Sequence, residues 1–317
     1  MNLALSVYSK YRTQIMGFAA IMIILCHIRG INYSNFPFLE KLLWFGNYGV
    51  ELFLFVSGIG MYHSLSKENI SLIQWYNRRY VRITIPFLLI AISIYPLRIV
   101  LNIPASLSDF LLYITTLEFW LHHKGAWYVA MLFPLYFLTP YLVKFANTSK
   151  AKVITVSVLI ILLLGFSYIP LGNDIVRNIQ FVTLRVPIFI LGIIIAPYVK
   201  NGYRINAFSM CFIVLVGLLL WHFCSFSLGG GLAIICLLGT IIAFICKCKF
   251  INKILLFMGK MSLESYLTNI YLGHIIMTSD AITLSGGGVK ALIVIVIGIL
   301  TAYIFHKLSN KIISKIE

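Results

Sequence analysis

Apolar runs long enough to cross a bilayer recur along the whole of this 317-residue chain, and short polar joints separate them. A helix needs about 20 such residues to span the hydrocarbon. Backbone groups in lipid must pair within a helix or a closed barrel. Runs this continuous therefore predict an all-α, polytopic membrane protein. The expected spans are roughly 13–30, 43–65, 80–101, 126–147, 151–170, 179–199, 207–224, 228–246, 259–278 and 289–309, about ten crossings. The joints leave no room for a soluble domain, so residues 1–317 read as a single transmembrane domain.

Lysine and arginine concentrate in short cytoplasmic loops. With the N-terminus inside, eighteen of the 25 basic residues fall on the inner side and seven on the outer. Both termini are then cytoplasmic. The first helix has basic flanks but no small-residue cleavage site after it, so it reads as an anchor.

The net charge of +16 is accounted for by this topology and by anionic membrane lipid. No basic arm interleaved with aromatics suggests nucleic acid. Cys246 and Cys248 form a lone Cys-x-Cys with no second pair, which argues against a zinc site, and no metal is expected. Gly229-Gly-Gly231 and Gly286-Gly-Gly288 lack the Gly-Lys-Ser/Thr continuation of a phosphate loop and read as flexible turns at helix starts. The stretch 102–125 is the longest joint, with Phe110 to Trp120 as a short amphipathic interface helix on the outer side.

An ionisable side chain within a membrane helix costs about 2.5–3.5 kcal/mol on insertion scales, so each needs a partner or a task. His27 lies near the outer end of the first helix. Glu51, in Gly49-Val-Glu-Leu-Phe-Leu-Phe-Val-Ser-Gly58, lies at similar depth on the next. A carboxylate beside an imidazole fixes its tautomer and strengthens it as a base. The alternative is a histidine satisfied locally, with Glu51 paired to an arginine. Arg185, about six residues inside the outer end of the sixth helix, also needs a partner, and Glu51 is a candidate. Glu264 and Asn269 mark the ninth helix, where interhelical hydrogen bonding is the structural reading.

At the inner side, Arg78, Arg79 and Arg82 fall within one helical turn or so of each other and can present a fork of guanidiniums. Such a fork suits phosphate, and equally suits lipid headgroups. Trp127 and Tyr128 open the fourth helix at the outer face, as interface aromatics do. On the first helix, positions eleven apart differ by about 20° and 16 Å, so Met16 lies on the His27 face three turns inward. Arg12 is a turn lower, rotated by about 60°.

In order and spacing these motifs resemble the bacterial membrane acyltransferase family 3, which O-acylates cell-envelope sugars and other acceptors. The likeness runs from about residue 11 to about 305. It rests on His27, on Gly49 to Gly58 with Glu51 in the acidic place, and on Arg78, Arg79, Arg82 and Pro86. It continues through Trp127-Tyr128 with Tyr136 and Pro140, Arg185 to Gly192, and Gly259 to Leu267 with Ser262 and Tyr266. Two positions depart: Met16 stands where the family has arginine, and Asn269 where a histidine is frequent.

The resemblance implies a multi-pass protein of the bacterial cytoplasmic membrane with no bound cofactor. It uses acyl-CoA, usually acetyl-CoA, as co-substrate, and the acceptor is an envelope carbohydrate or lipid-linked sugar. His27 and Glu51 are then the catalytic pair. Arg12, Arg78, Arg79 and Arg82 bind the donor; for the arginine missing at Met16, either Arg12 stands in or the arginine cluster suffices. Trp127, Tyr128, Arg185 and Asn269 serve the acceptor or the oxyanion. The competing reading is a secondary transporter or flippase for a lipid-linked sugar, with His27, Glu51 and Arg185 along its path.

Overall fold

A computed structural model describes residues 2–28, 37–67, 71–101, 103, 106–146, 150–170, 172–223, 226–278 and 287–317. It is built almost wholly of helices. The chain opens with strand β1 (Asn2–Ala4), then α1 (Val7–Lys10), α2 (Arg12–His27), α3 (Pro37–Trp44), a 3-10 turn at Phe45–Tyr48 and α4 (Gly49–Leu65). Next come α5 (Leu72–Val100), α6 (Leu107–Ile114), α7 (Leu117–His122), α8 (Trp127–Ala146), α9 (Lys150–Ser167), α10 (Asp174–Thr183) and α11 (Val186–Lys200). After β2 (Arg204–Asn206) follow α12 (Ala207–Phe223), α13 (Phe226–Ile245), α14 (Lys249–Lys260) and α15 (Ser262–Thr268). A π-helical turn at Asn269–Gly273 leads into α16 (His274–Thr278), and α17 (Gly287–Ile316) closes the chain. The two short strands pair antiparallel, with Leu3 opposite Ile205.

Six stretches are long and apolar enough to cross a membrane: Phe38–Leu65, Leu72–Val100, Trp127–Phe145, Asp174–Lys200, Ser227–Ile245 and Val289–Ile316. Arg12–His27, Ser157–Phe166 and Ala207–Phe223 are shorter apolar helices. Large apolar side chains such as Phe137 and Phe244 are exposed on these helices, as lipid contact requires.

Three boundaries differ from the sequence expectation. Helix α5 begins at Leu72, not near residue 80, so the arginines lie inside its first turns. Its 29 residues make about 43 Å, more than the hydrocarbon needs, and the surplus carries the charge. The stretch expected as one helix over 179–199 is interrupted at Leu184-Arg185, because Pro187 in the first turn of α11 cannot continue an upstream hydrogen-bond ladder. The stretch 259–278 is not one α-helix: Met261 separates α14 from α15, and a π-helical turn follows.

The contacts of the chain gather in two compact units. The first holds Met1–Ala19, Tyr48–Ser71 and Leu135–Lys260; the second holds Ala20–Asn47, Leu72–Pro134 and Met261–Glu317.

In the first unit, glycines bring helix backbones together, as small residues do in membrane packing. A Cβ on Gly58 would stand 2.3 Å from the Phe189 carbonyl oxygen, and one on Gly192 2.2 Å from that of Phe55, so α4 and α11 meet backbone to backbone. Gly217 and Gly229 do the same for α12 and α13. Gly229, Gly230 and Gly231 are therefore not a flexible turn. They lie in the first turns of α13, buried, where any side chain would push a neighbour away. Of the second run, Gly287 and Gly288 begin α17, and Gly286 lies outside the described residues.

In the second unit, Ile28, Ile276, Ala291 and Val294 form a buried cluster, with Leu25, Leu272 and Ile295 packed against it. The C-terminal end of α2 is thereby seated on the π-helical turn, α16 and α17.

Candidate active site

His27 is the last residue of α2 and its side chain is exposed. Its Nδ1 lies 2.8 Å from the carbonyl oxygen of Ile23, one turn back. A carbonyl only accepts, so Nδ1 carries the hydrogen and the neutral ring keeps its lone pair on Nε2. The backbone of α2 thus selects this tautomer.

Glu51 belongs to the first unit, in the first turn of α4, and is completely buried. Its Oε1 accepts a bond from Arg185, at the α10–α11 break, and another from the Ser227 hydroxyl at 2.7 Å. The Arg185 guanidinium also lies over the Phe181 ring, 5.0 Å from its centroid. The arginine anticipated as a partner for Glu51 is therefore its partner in the fold.

The glycines of α13 make this packing possible. A Cβ on Gly231 would meet Glu51 Cγ at 3.0 Å, and one on Gly230 would fall on the Tyr48 ring. Glu51 Oε2 has no hydrogen-bond partner among the described residues. Ser227 escaped the sequence reading because it sits in the Ser-Leu-Gly-Gly-Gly run taken for a turn.

Arg12, also in the first unit, opens α2 and directs Nε toward the Val56 carbonyl oxygen at 3.5 Å. Gly60 leaves the space its guanidinium occupies, for a Cβ there would stand 3.1 Å from it. Met16, one turn on, is partly buried and has no donor to offer.

The arginines of the cluster at residues 78–82 belong to the second unit. Arg78 is exposed, and Arg79 stacks over Trp75 at 5.7 Å. Arg82 makes a two-pronged pair with Glu317, Nε at 2.9 Å and Nη2 at 2.8 Å. Hydrogen bonds from Arg82 hold the Glu317 carboxyl below its ordinary range, with Arg78 and Arg79 adding to the effect.

Also in the second unit, Trp127 opens α8 partly exposed, edge-on to Tyr128. The Tyr128 backbone N–H donates to the Tyr266 hydroxyl at 3.1 Å, which ties the head of α8 to α15. Asn269 begins the π-helical turn, a local geometry that recurs at functional sites. It is buried, and its Nδ2 has no hydrogen-bond partner among the described residues. The Ser265 hydroxyl, one turn earlier on the same face, is in the same state.

Glu264 behaves as the structural reading held, bonding His306 Nδ1 and the Ser309 hydroxyl, each at 3.1 Å. Asn269 makes no such interhelical bond through its amide nitrogen among the described residues.

Long apolar helices with large apolar side chains exposed along them define an all-α, multi-pass membrane protein. The chain belongs to acyltransferase family 3: the family model described as an acyltransferase domain matches residues 15–307. It is accordingly a membrane acyltransferase. No curated protein and no solved structure matches it at a significant level.

Proposed function

We propose that the protein transfers an acyl group, acetyl by preference, from acyl-CoA to a hydroxyl of a cell-envelope carbohydrate or lipid-linked sugar. It works in the cytoplasmic membrane of a bacterium, with both termini cytoplasmic. The observation that carries this reading is the Nδ1–H bond of His27 to the Ile23 carbonyl, which makes Nε2 the basic nitrogen.

His27 Nε2 takes the proton of the acceptor hydroxyl as its oxygen attacks the thioester carbonyl. The tetrahedral oxyanion then collapses, the C–S bond breaks, and the imidazolium returns the proton to the departing thiolate as CoA thiol. Asn269 Nδ2 supplies a donor for the oxyanion in a dry setting, where such a bond counts most. Arg185, committed to Glu51, holds that carboxylate in place; the pair is the buried charge on which the first unit is built. Arg78, Arg79 and Arg82 receive the phosphates of the donor. Trp127 and Tyr128 serve the acceptor.

The test is transfer from labelled acetyl-CoA to envelope glycan by purified protein in nanodiscs. His27→Ala is expected to lower the rate about 10²–10⁴-fold while CoA still protects the variant against thermal unfolding. Normal transfer by that variant overturns the assignment of the base. Failure of CoA to protect the native protein overturns the donor.

A further inference from the structure

Among the described residues, only Thr116 and His123 are non-glycine residues with positive φ, at 63° and 55°. They bracket a single element, the six-residue helix α7. A β-branched residue in the left-handed region is uncommon and costs on the order of 1–3 kcal/mol. Gly125, at φ 77°, follows two residues later. A short surface connection gains nothing in stability from such a conformation, and strain of this kind persists where the surroundings hold it for a purpose.

The strained frame fixes the carboxylate of Glu118. A Cβ on Gly125 would stand 2.9 Å from Glu118 Oε2, so the carboxylate lies directly against a position only glycine leaves open. Glu118 is half-buried, yet neither a hydrogen bond nor an ion pair reaches its carboxylate among the described residues. Arg98, Lys124, Asp109 and His122 are its charged neighbours, and burial raises its carboxyl against the pull of Arg98 and Lys124.

The aromatic residues around it form a continuous floor. Tyr113 packs on Tyr271 with centroids 4.4 Å apart and on Tyr95 at 5.3 Å. Arg98 lies over Tyr95 at 5.7 Å. Partly exposed Trp120 lies within α7, and partly exposed Trp127 follows two residues after Gly125. On the topology predicted from the basic residues, all of this lies on the outer side of the membrane.

A half-buried carboxylate held against glycine, near a guanidinium and with a partly exposed indole two residues beyond that glycine in the chain, has the chemistry a sugar needs. Neighbouring hydroxyls donate to the two carboxylate oxygens in charge-assisted bonds, and the C–H face of the ring packs on an aromatic plane. We propose that α7 forms the acceptor subsite, with Glu118 accepting hydrogen bonds from vicinal hydroxyls of a pyranose seated against Trp127. This rests on the acyltransferase reading above and names the group that selects its acceptor.

The test uses full-length protein in nanodiscs with labelled acetyl-CoA and, as acceptor probes, the methyl glycosides of glucose, galactose and N-acetylglucosamine. Glu118→Gln is expected to raise KM for the best glycoside about 10- to 100-fold, the worth of hydrogen bonds to a charged group, and to leave KM for acetyl-CoA within about twofold. Gly125→Ala is expected to raise the same KM by displacing the carboxylate. Should Gly125→Ala fail to fold, the isosteric Glu118→Gln decides.

An unchanged acceptor KM in Glu118→Gln overturns the proposal. So does a native protein that consumes acetyl-CoA but acylates none of the three glycosides. A native protein that neither binds CoA nor consumes acetyl-CoA instead overturns the acyltransferase reading itself.

Discussion

Glu51 and Arg185, far apart in the chain, close an ion pair in which neither side chain is more than 5% exposed. Removing one partner of a buried pair strands the other charge, at a cost of about 3–5 kcal/mol. Arg185→Met is therefore expected to lower the melting temperature sharply in detergent. The double variant Glu51→Gln/Arg185→Met is expected to recover much of that loss, because no uncompensated charge remains. Equal destabilisation by the single and double variants contradicts the pairing; thermal unfolding of the three proteins distinguishes the outcomes.

Asn269 separates stability from activity. An orphaned buried amide costs free energy, and an apolar residue of the same shape removes that cost. Asn269→Leu is expected to melt at or above the native temperature while kcat falls about 10²–10³-fold, the loss typical of one oxyanion donor. Steady-state kinetics beside a melting curve test both halves, and a fully active Asn269→Leu contradicts the role.

The Arg82–Glu317 pair competes with any phosphate that approaches the arginine fork. Being exposed, it contributes only about 0–1 kcal/mol to stability. Glu317→Gln is expected to lower KM for acetyl-CoA a few-fold, more clearly at low salt, with little change in melting temperature.

The pH dependence of that pair has a definite sign. The folded Glu317 carboxyl lies below its unfolded value, chiefly through the Arg82 hydrogen bonds. Its small contribution is therefore present above the unfolded pKa near 4.5 and is lost as pH falls through the folded one. Titrating native protein and Glu317→Gln in parallel should show the two stability curves converging at acid pH.

Gly58 and Gly192 test the packing of the first unit. An added Cβ at either meets a facing carbonyl oxygen at 2.3 Å or less, and overpacking of this kind costs about 1–3 kcal/mol. Gly192→Ala is expected to destabilise by that order, whereas Gly165→Ala, which meets nothing within 4 Å, is expected to be neutral.

Much of the fold was legible because lipid imposes one rule on every segment: backbone groups must be satisfied within the helix. Apolar runs thus mark helices wherever they occur, and the Glu51–Arg185 pair follows from the same cost of intramembrane charge. The order of His27, Glu51, the arginine cluster and the later motifs carried the family.

Other features have no local signature. A glycine run reads alike as a loop or as a helix face, and only the approach of Tyr48 and Glu51 decides that Gly230 and Gly231 lie in α13. The histidine tautomer, the unsatisfied amide of Asn269 in its π-helical turn, and the left-handed residues around Glu118 depend on what each group meets in three dimensions. Sequence by itself determined the helices and the charges that had to be paired within them, because transfer from water to lipid is a property of each segment alone. Tertiary structure decided which polar groups are paired and which stay unpartnered among the described residues, because hydrogen-bond satisfaction is a property of neighbours.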